Sequence, residues 1–166
     1  VQLHLADHDM TLALGAALAK ALAGSRTASG GLVPLLLSGP LGSGKTTLVR
    51  GLVAALPGAA EAEVSSPSFN IVNIYPTRPQ VAHFDLYRVA GCAPEEFLDA
   101  LDAQNVLVVA EWIENLPRAD WPEEALTLTW SSVPSGRALE IRAWGKAADG
   151  LLEALAPQLN TWEKDS

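Results

Sequence analysis

Cysteine is nearly absent from this sequence: Cys92 stands alone among 166 residues. That excludes an intramolecular disulfide and a multi-cysteine zinc site, and nothing points to an oxidising compartment. Basic residues are sparse too, 11 Lys and Arg against 19 Asp and Glu, for a formal net charge of −8. They are scattered singly, Arg137 and Arg142 included, whereas a domain that grips a nucleic-acid backbone unaided carries a basic stripe. Autonomous binding of RNA or DNA is disfavoured. Long apolar runs are missing as well. Leu32 to Leu37 is broken by Pro34 and falls far short of the ~20 residues a membrane span requires. The first ten residues carry Asp7 and Asp9 and lack the basic-then-apolar layout of a signal peptide. The expected location is the cytoplasm, with no membrane partner.

What is present describes an ordinary globular chain, 49% hydrophobic and 18% charged. At this length folding buries roughly 70% of the surface of the unfolded chain, enough for one core. With no internal repeat and no linker, residues 1–166 are expected to form a single domain.

The periodicities give an order of elements. Gln2 to Leu5 reads as a strand. Asp7 or Asp9 then caps a helix whose Met10, Leu14, Leu18, Ala21 and Leu22 share one face. Leu32 to Ser38 reads as a buried strand, and Thr46 to Leu56 as a helix stopped by Pro57-Gly58. Phe69 to Tyr75 and Val81 to Val89, joined by a short turn, form an antiparallel pair. Pro94 opens a short acidic helix, and Asn105 to Ala110 is another buried strand. Ala125 to Trp130 and Ala138 to Ala143 make a second hairpin, and a helix of about Asp149 to Leu159 closes the chain. The expected fold is α/β, P-loop NTPase-like: a mixed parallel and antiparallel sheet flanked by helices.

One motif carries specific chemistry. Gly39-Pro40-Leu41-Gly42-Ser43-Gly44-Lys45-Thr46 is a complete G-x-x-x-x-G-K-[ST] between an apolar strand and a helix. Glycines let consecutive backbone N–H groups converge on phosphates, and the helix start adds its positive dipole end. Lys45 reaches the β- and γ-phosphates, and the Thr46 hydroxyl ligates Mg2+. The ligand is a nucleoside triphosphate. A guanine-selecting N-K-x-D is missing, Lys146 to Asp149 lacking the preceding Asn, so ATP is favoured.

A magnesium carboxylate belongs at the end of a second buried strand. Glu111 ends Val106-Leu107-Val108-Val109-Ala110, and Asp85 sits in His83-Phe84-Asp85-Leu86-Tyr87-Arg88. Glu111 also reads as an ordinary strand-ending helix cap, and Asp85 as a charge on a solvated sheet face. His83 reads more naturally as a hydrogen-bonded sheet residue than as a catalyst. The hydroxyl cluster Ser65-Ser66-Pro67-Ser68 lies where NTPases place a nucleotide-sensing switch, although any turn uses the same residues. Trp112, directly after Glu111, reads either as an exposed functional aromatic or as core.

Together these residues resemble the TsaE family, the small P-loop ATPases of bacterial tRNA threonylcarbamoyladenosine synthesis. The resemblance runs over nearly the whole chain, from Asp9-x-Thr11-x-x-x-Gly15 to the C-terminal strands. It rests on Leu41-Gly42-Ser43-Gly44-Lys45-Thr46-Thr47, Ser66-Pro67-Ser68-Phe69, His83-x-Asp85-x-Tyr87-Arg88 and Glu111-Trp112. It implies that Lys45 and the loop from Leu41 to Thr47 hold ATP and that Thr46 and Glu111 hold Mg2+. Asp85 would serve the metal or the attacking water, Ser68 the switch, and Trp112 a partner-coupled position beside the metal. Gly136-Arg137 would touch the nucleotide, and His8 to Thr11 would begin the adenine pocket. The implied partners are TsaD and TsaB. TsaD carries the threonylcarbamoyl group to an adenosine next to the anticodon, so tRNA would be met only through partners. Two departures stand out: Ser68 occupies a position usually Thr, and Ile113 follows Glu111-Trp112 where Pro is common.

Turnover is expected to be slow alone, because no built-in arginine finger is marked, Arg88 qualifying on position only. Two other readings of the residues remain. A small-molecule P-loop kinase would need an acceptor pocket with convergent arginines, which the acidic stretch from Arg88 to Asn105 does not offer. A nucleotide-gated binding module would keep ATP and partner binding after Asp85 or Glu111 is neutralised.

Overall fold

A computed structural model of the chain describes residues 1–67 and 70–163. Ser68 and the expected strand start at Phe69 lie outside the described residues. Seven strands form one sheet in the order β1-β7-β6-β2-β5-β4-β3: β1 (Gln2–Leu5), β2 (Leu35–Ser38), β3 (Val72–Tyr75), β4 (Gln80–Asp85), β5 (Val106–Glu111), β6 (Ala125–Ser131) and β7 (Arg137–Trp144). β4, β5, β2 and β6 run parallel as the central block. β3 pairs antiparallel with β4, β7 with β6, and β1 with β7. This is the mixed sheet, with both hairpins, that the sequence predicts.

Alternation along the central strands decides which layer each face meets. Leu35, Leu37, Val109, Leu126 and Leu128 point to the face covered by α1 (His8–Ala23), α2 (Lys45–Ala54) and α4 (Lys146–Leu159), where Leu14, Leu18, Leu48 and Leu155 complete the larger core. Leu36, Ala82, Phe84 and Ala110 point the other way, onto α3 (Glu95–Asp102) and the turn through Ile113 and Leu116. Phe97 of α3 is fully buried and meets Phe84 edge-on, ring centroids 5.3 Å apart. Burial of one such side chain contributes about 3 kcal/mol.

Several element boundaries differ from expectation, and three of them have a local reason. β2 begins at Leu35, not Leu32; Pro34 has no N–H to give, and its carbonyl takes the Leu126 amide instead. β4 stops at Asp85, not Val89. There Leu86 N–H donates to the Glu111 carbonyl and Val89 N–H turns back to the Leu86 carbonyl. α4 starts at Lys146, three residues before Asp149, because the Glu124 carboxylate accepts the Ala147 amide from outside the helix. The first helix is capped by Asp7, whose carboxylate accepts the Met10 amide at 2.9 Å.

The parallel register sets up one end of the sheet. Asp85 pairs with Glu111 across β4 and β5, and Leu37 with Glu111 across β2 and β5. Both candidate carboxylates therefore stand beside the loop that joins β2 to α2, at the carboxyl ends of the strands, where open α/β sheets bind ligands.

Candidate nucleotide site

The loop between β2 and α2 holds positive φ at Gly39 (147°), Gly42 (73°) and Gly44 (112°), Gly44 serving as the N-cap of α2. Its centre is filled by Lys45. The ammonium donates to the Gly39 carbonyl at 2.7 Å, the Pro40 carbonyl at 2.9 Å and Ser43 Oγ at 3.4 Å. Only 5% of the residue is exposed. Burial pushes its pKa below the ordinary value, against the opposing pull of Glu111, Glu114 and Asp85.

Trp112 closes over this cation. Its ring centroid lies 4.4 Å from Lys45 Nζ, and it is the one non-glycine residue with positive φ (61°) among those described. Tyr87, half exposed, packs against Trp112 with ring centroids 4.9 Å apart and planes inclined at 56°. The sequence left Trp112 between exposed aromatic and core; it is partly buried, with one flank on the second core and its ring against Lys45.

Arg137 reaches the loop from β7. Nε donates to the Ser43 carbonyl at 3.0 Å and Nη2 to the Gly42 carbonyl at 3.4 Å. It holds the loop by its backbone. A small cleft of about 120 Å³ opens beside it, lined by His8, Thr11, Gly44, Thr47, Gly136 and Arg137. His8 and Thr11, expected to begin an adenine pocket, and Gly136-Arg137, expected to touch the nucleotide, are thus brought together with Gly44 and Thr47. Leu41, at the tip of the loop, is 73% exposed and does not line that cleft.

On the other side of Lys45 stand Thr46 and Glu111. The Thr46 hydroxyl lies 3.3 and 3.5 Å from the two oxygens of Glu111 and 2.6 Å from Ser66 Oγ. A hydroxyl and a carboxylate converging at a loop of this kind are the hard oxygen donors that suit Mg2+. Asp85, half-buried, accepts the Tyr87 amide at 3.0 Å and borders a cleft of about 380 Å³ with Ser66, Tyr87 and Arg88.

Behind Glu111 lies a set of partners that sequence reasoning missed. His83 is completely buried, its Nε2 2.5 Å from Glu111 Oε2 and its Nδ1 2.8 Å from the Tyr75 hydroxyl. Tyr75 donates in turn to the Ser65 carbonyl at 3.0 Å, so its single proton is committed and His83 Nδ1 is the donor to it. His83 is indeed a hydrogen-bonded sheet residue, but its second nitrogen faces the candidate metal carboxylate. Glu114, close enough to act on Lys45, was also missed; it sits in the 3₁₀ turn of residues 113–115.

A family model described as "Threonylcarbamoyl adenosine biosynthesis protein TsaE" matches residues 5–139. Among curated proteins, the tRNA threonylcarbamoyladenosine biosynthesis protein TsaE of Nostoc sp. is 34% identical over 122 residues, covering 70% of each chain. The protein of the same name from Mycobacterium tuberculosis (strain CDC 1551 / Oshkosh) is 33% identical over 117 residues. That alignment spans 64% of this chain and 64% of the relative's length. The Streptomyces coelicolor protein of that name is 41% identical over 85 residues, 48% of this chain and 56% of its own. A solved structure, "Crystal structure of Bacillus subtilus YdiB", superposes with a TM-score of 0.72 at 24% identity over 95% of both chains, which establishes likeness of fold.

Proposed function

This chain belongs to the TsaE family, and from that premise we propose that it binds and hydrolyses ATP with Mg2+ in the threonylcarbamoyladenosine modification of tRNA, acting with TsaD and TsaB. The observation that carries the reading is the convergence of Lys45, Thr46 and Glu111 on one side of a glycine loop at the carboxyl ends of the strands. The residues fit the group: Thr46 and Glu111 would hold Mg2+, with Asp85 beside them, and the ion would neutralise charge on the phosphates. The chain's own groups supply the rest. Loop amides and the start of α2 bind phosphate, and Lys45 carries the matching cation. Arg137 keeps the Gly42–Ser43 backbone in place, and Asp85 is the carboxylate that faces the open cleft, where it would orient an attacking water. Partners would supply the tRNA surface, in keeping with the net charge of −8.

The kinase alternative has little support. The cleft beside Asp85 is lined by a single arginine, Arg88, where phosphoryl transfer to a small acceptor calls for convergent cations. ATP turnover, measured alone and with TsaB and TsaD, tests the reading. Turnover that rises with the partners and is abolished by Lys45→Ala, Asp85→Ala and Glu111→Ala is expected. Phosphate appearing on a small-molecule acceptor, without partner stimulation, would sink it.

A further inference from the structure

The hydrogen bonds around Glu111 close into a ring. From the carboxylate the chain of contacts passes to His83 Nε2, from His83 Nδ1 to the Tyr75 hydroxyl, and from there to the Ser65 carbonyl. The next residue, Ser66, meets Thr46 Oγ1 at 2.6 Å, and Thr46 returns to Glu111. Two elements, the 65–66 segment and the Thr46–Glu111 pair, are therefore joined twice: directly through the Ser66 hydroxyl, and through the buried sheet by His83 and Tyr75. Tyr75 is 3% exposed and His83 is fully buried, so water does not compete for these bonds. Asn73, directly opposite His83 in the β3–β4 register, adds a second donor to the Ser65 carbonyl at 3.0 Å.

We propose that Tyr75 and His83 are positioning residues which tie the orientation of the Glu111 carboxylate, and with it the affinity for the divalent cation, to the backbone at Ser65–Ser66. This rests on the reading of Thr46 and Glu111 as the Mg2+ pair. A cation held by the Thr46 hydroxyl takes one of its two lone pairs and leaves one proton and one lone pair for Glu111 and Ser66, so the direction of the Ser66 contact is fixed by the metal state. The Tyr75 and Asn73 bonds to the Ser65 carbonyl hold the neighbouring backbone while that contact changes direction. The metal state is thereby read out at the chain that leads into the cleft beside Asp85. The outer partners of a metal-binding carboxylate commonly govern metal affinity by tenfold or more.

The discriminating variant is Tyr75→Phe, which removes one oxygen and keeps the ring in its packed place. His83→Gln, which keeps a donor toward Glu111 and loses the arrangement toward Tyr75, is the second. Two quantities are measured on the full chain: affinity for ATP in EDTA, and affinity of the ATP complex for Mn2+ by electron paramagnetic resonance. Tyr75→Phe is expected to weaken Mn2+ binding about tenfold while ATP affinity in EDTA stays within about twofold. Hydrogen exchange supplies the third readout: adding Mg2+ to the wild-type complex with a non-hydrolysable ATP analogue changes protection at the Ser65 and Ser66 amides, and in Tyr75→Phe this response is lost. Wild-type Mn2+ affinity in both variants overturns the proposal. So does an equal loss of ATP affinity with and without metal, which would mark a general packing role. Wild-type protein that binds no ATP at all overturns the nucleotide reading and the coupling with it, whereas intact wild-type binding with silent variants overturns the coupling alone.

Discussion

Gly15 of α1 and Gly51 of α2 lie against each other so closely that a Cβ on Gly15 would stand 3.1 Å from the Gly51 carbonyl carbon and 2.3 Å from the Leu48 oxygen. A Cβ on Gly51 would stand 2.2 Å from the Leu12 oxygen. The two helices thus touch backbone to backbone. One carries His8 and Thr11, the other Lys45, Thr46 and Thr47, so this contact sets the width of the cleft beside Gly44.

Gly51→Ala forces those backbones apart. The expected loss is about 3 kcal/mol, the upper part of the range for overpacking, or a melting temperature lower by about 6–12 °C at this chain length. ATP affinity should fall with it. Gly150→Ala is the control: that helical glycine has nothing within 4 Å, and alanine there should stabilise by about 0.4–1 kcal/mol. Thermal melts of the two variants check both signs, and equal melting temperatures would show that the helices are free to separate.

The close approach explains part of what could be read from the sequence and what could not. The glycine loop between β2 and α2 was legible because its residue types answer to a local need, positive φ at Gly39, Gly42 and Gly44. The carboxylates were legible because a strand's length places its last residue. Gly15, by contrast, was visible only as a member of a resemblance, since its reason lies in Leu48, 33 positions away in sequence. Tyr75 depends on the β3–β4 register, which sets Asn73 opposite His83 and brings the hydroxyl to the imidazole. Glu114 depends on a 3₁₀ turn that carries no periodic signal. Contacts made across the sheet, through two partners at once, leave no mark in local pattern.

Lys45→Met should separate stability from function. Burial lowers the lysine pKa from its ordinary value of 10.5, and the neighbouring Glu111, Glu114 and Asp85 do not offset it. Between the lowered folded pKa and the unfolded value, the unfolded chain binds more protons than the folded one. Stability from this group therefore rises with pH through that window, and below it the charged side chain weighs against folding. Removing the charge is expected to leave the melting temperature at neutral pH equal or higher, while ATP binding disappears. A calorimetric titration and a thermal melt on the same sample decide it; a variant that melts lower would mean that the three loop bonds of the ammonium outweigh its burial.

Trp112 reports on the same cation. With Lys45 Nζ 4.4 Å from its centroid and Tyr87 on its flank, its emission should respond when the ammonium turns toward phosphate. ATP is expected to change the intrinsic fluorescence of the wild type and to leave that of Trp112→Phe unchanged, although the other four tryptophans remain. The substitution also weakens the cation–π contact, by up to about 1 kcal/mol. A full-size response in Trp112→Phe would assign the signal elsewhere, Trp130 being the first candidate because it lies against Gly39 and Gly44 of the loop.

Arg137 distinguishes charge from geometry. Its guanidinium holds two consecutive carbonyls, Gly42 and Ser43, through different nitrogens, and borders the cleft it shares with His8 and Thr11. A lysine preserves the charge but presents a single ammonium on a flexible stem, so it cannot span both carbonyls in that geometry. If Arg137 serves only as a positive charge near phosphate, Arg137→Lys keeps ATP affinity, and affinity for both proteins falls equally with salt. If it braces the loop, the variant loses about 1 kcal/mol, close to fivefold in Kd at 25 °C, and the loss persists at high ionic strength where exposed charges are screened. The two carbonyl contacts favour the brace. Calorimetric Kd values for ATP at low and high salt, wild type against Arg137→Lys, read the difference directly: a gap that stays open in high salt is the signature of the loop, and the absence of a gap at either salt is the signature of charge alone.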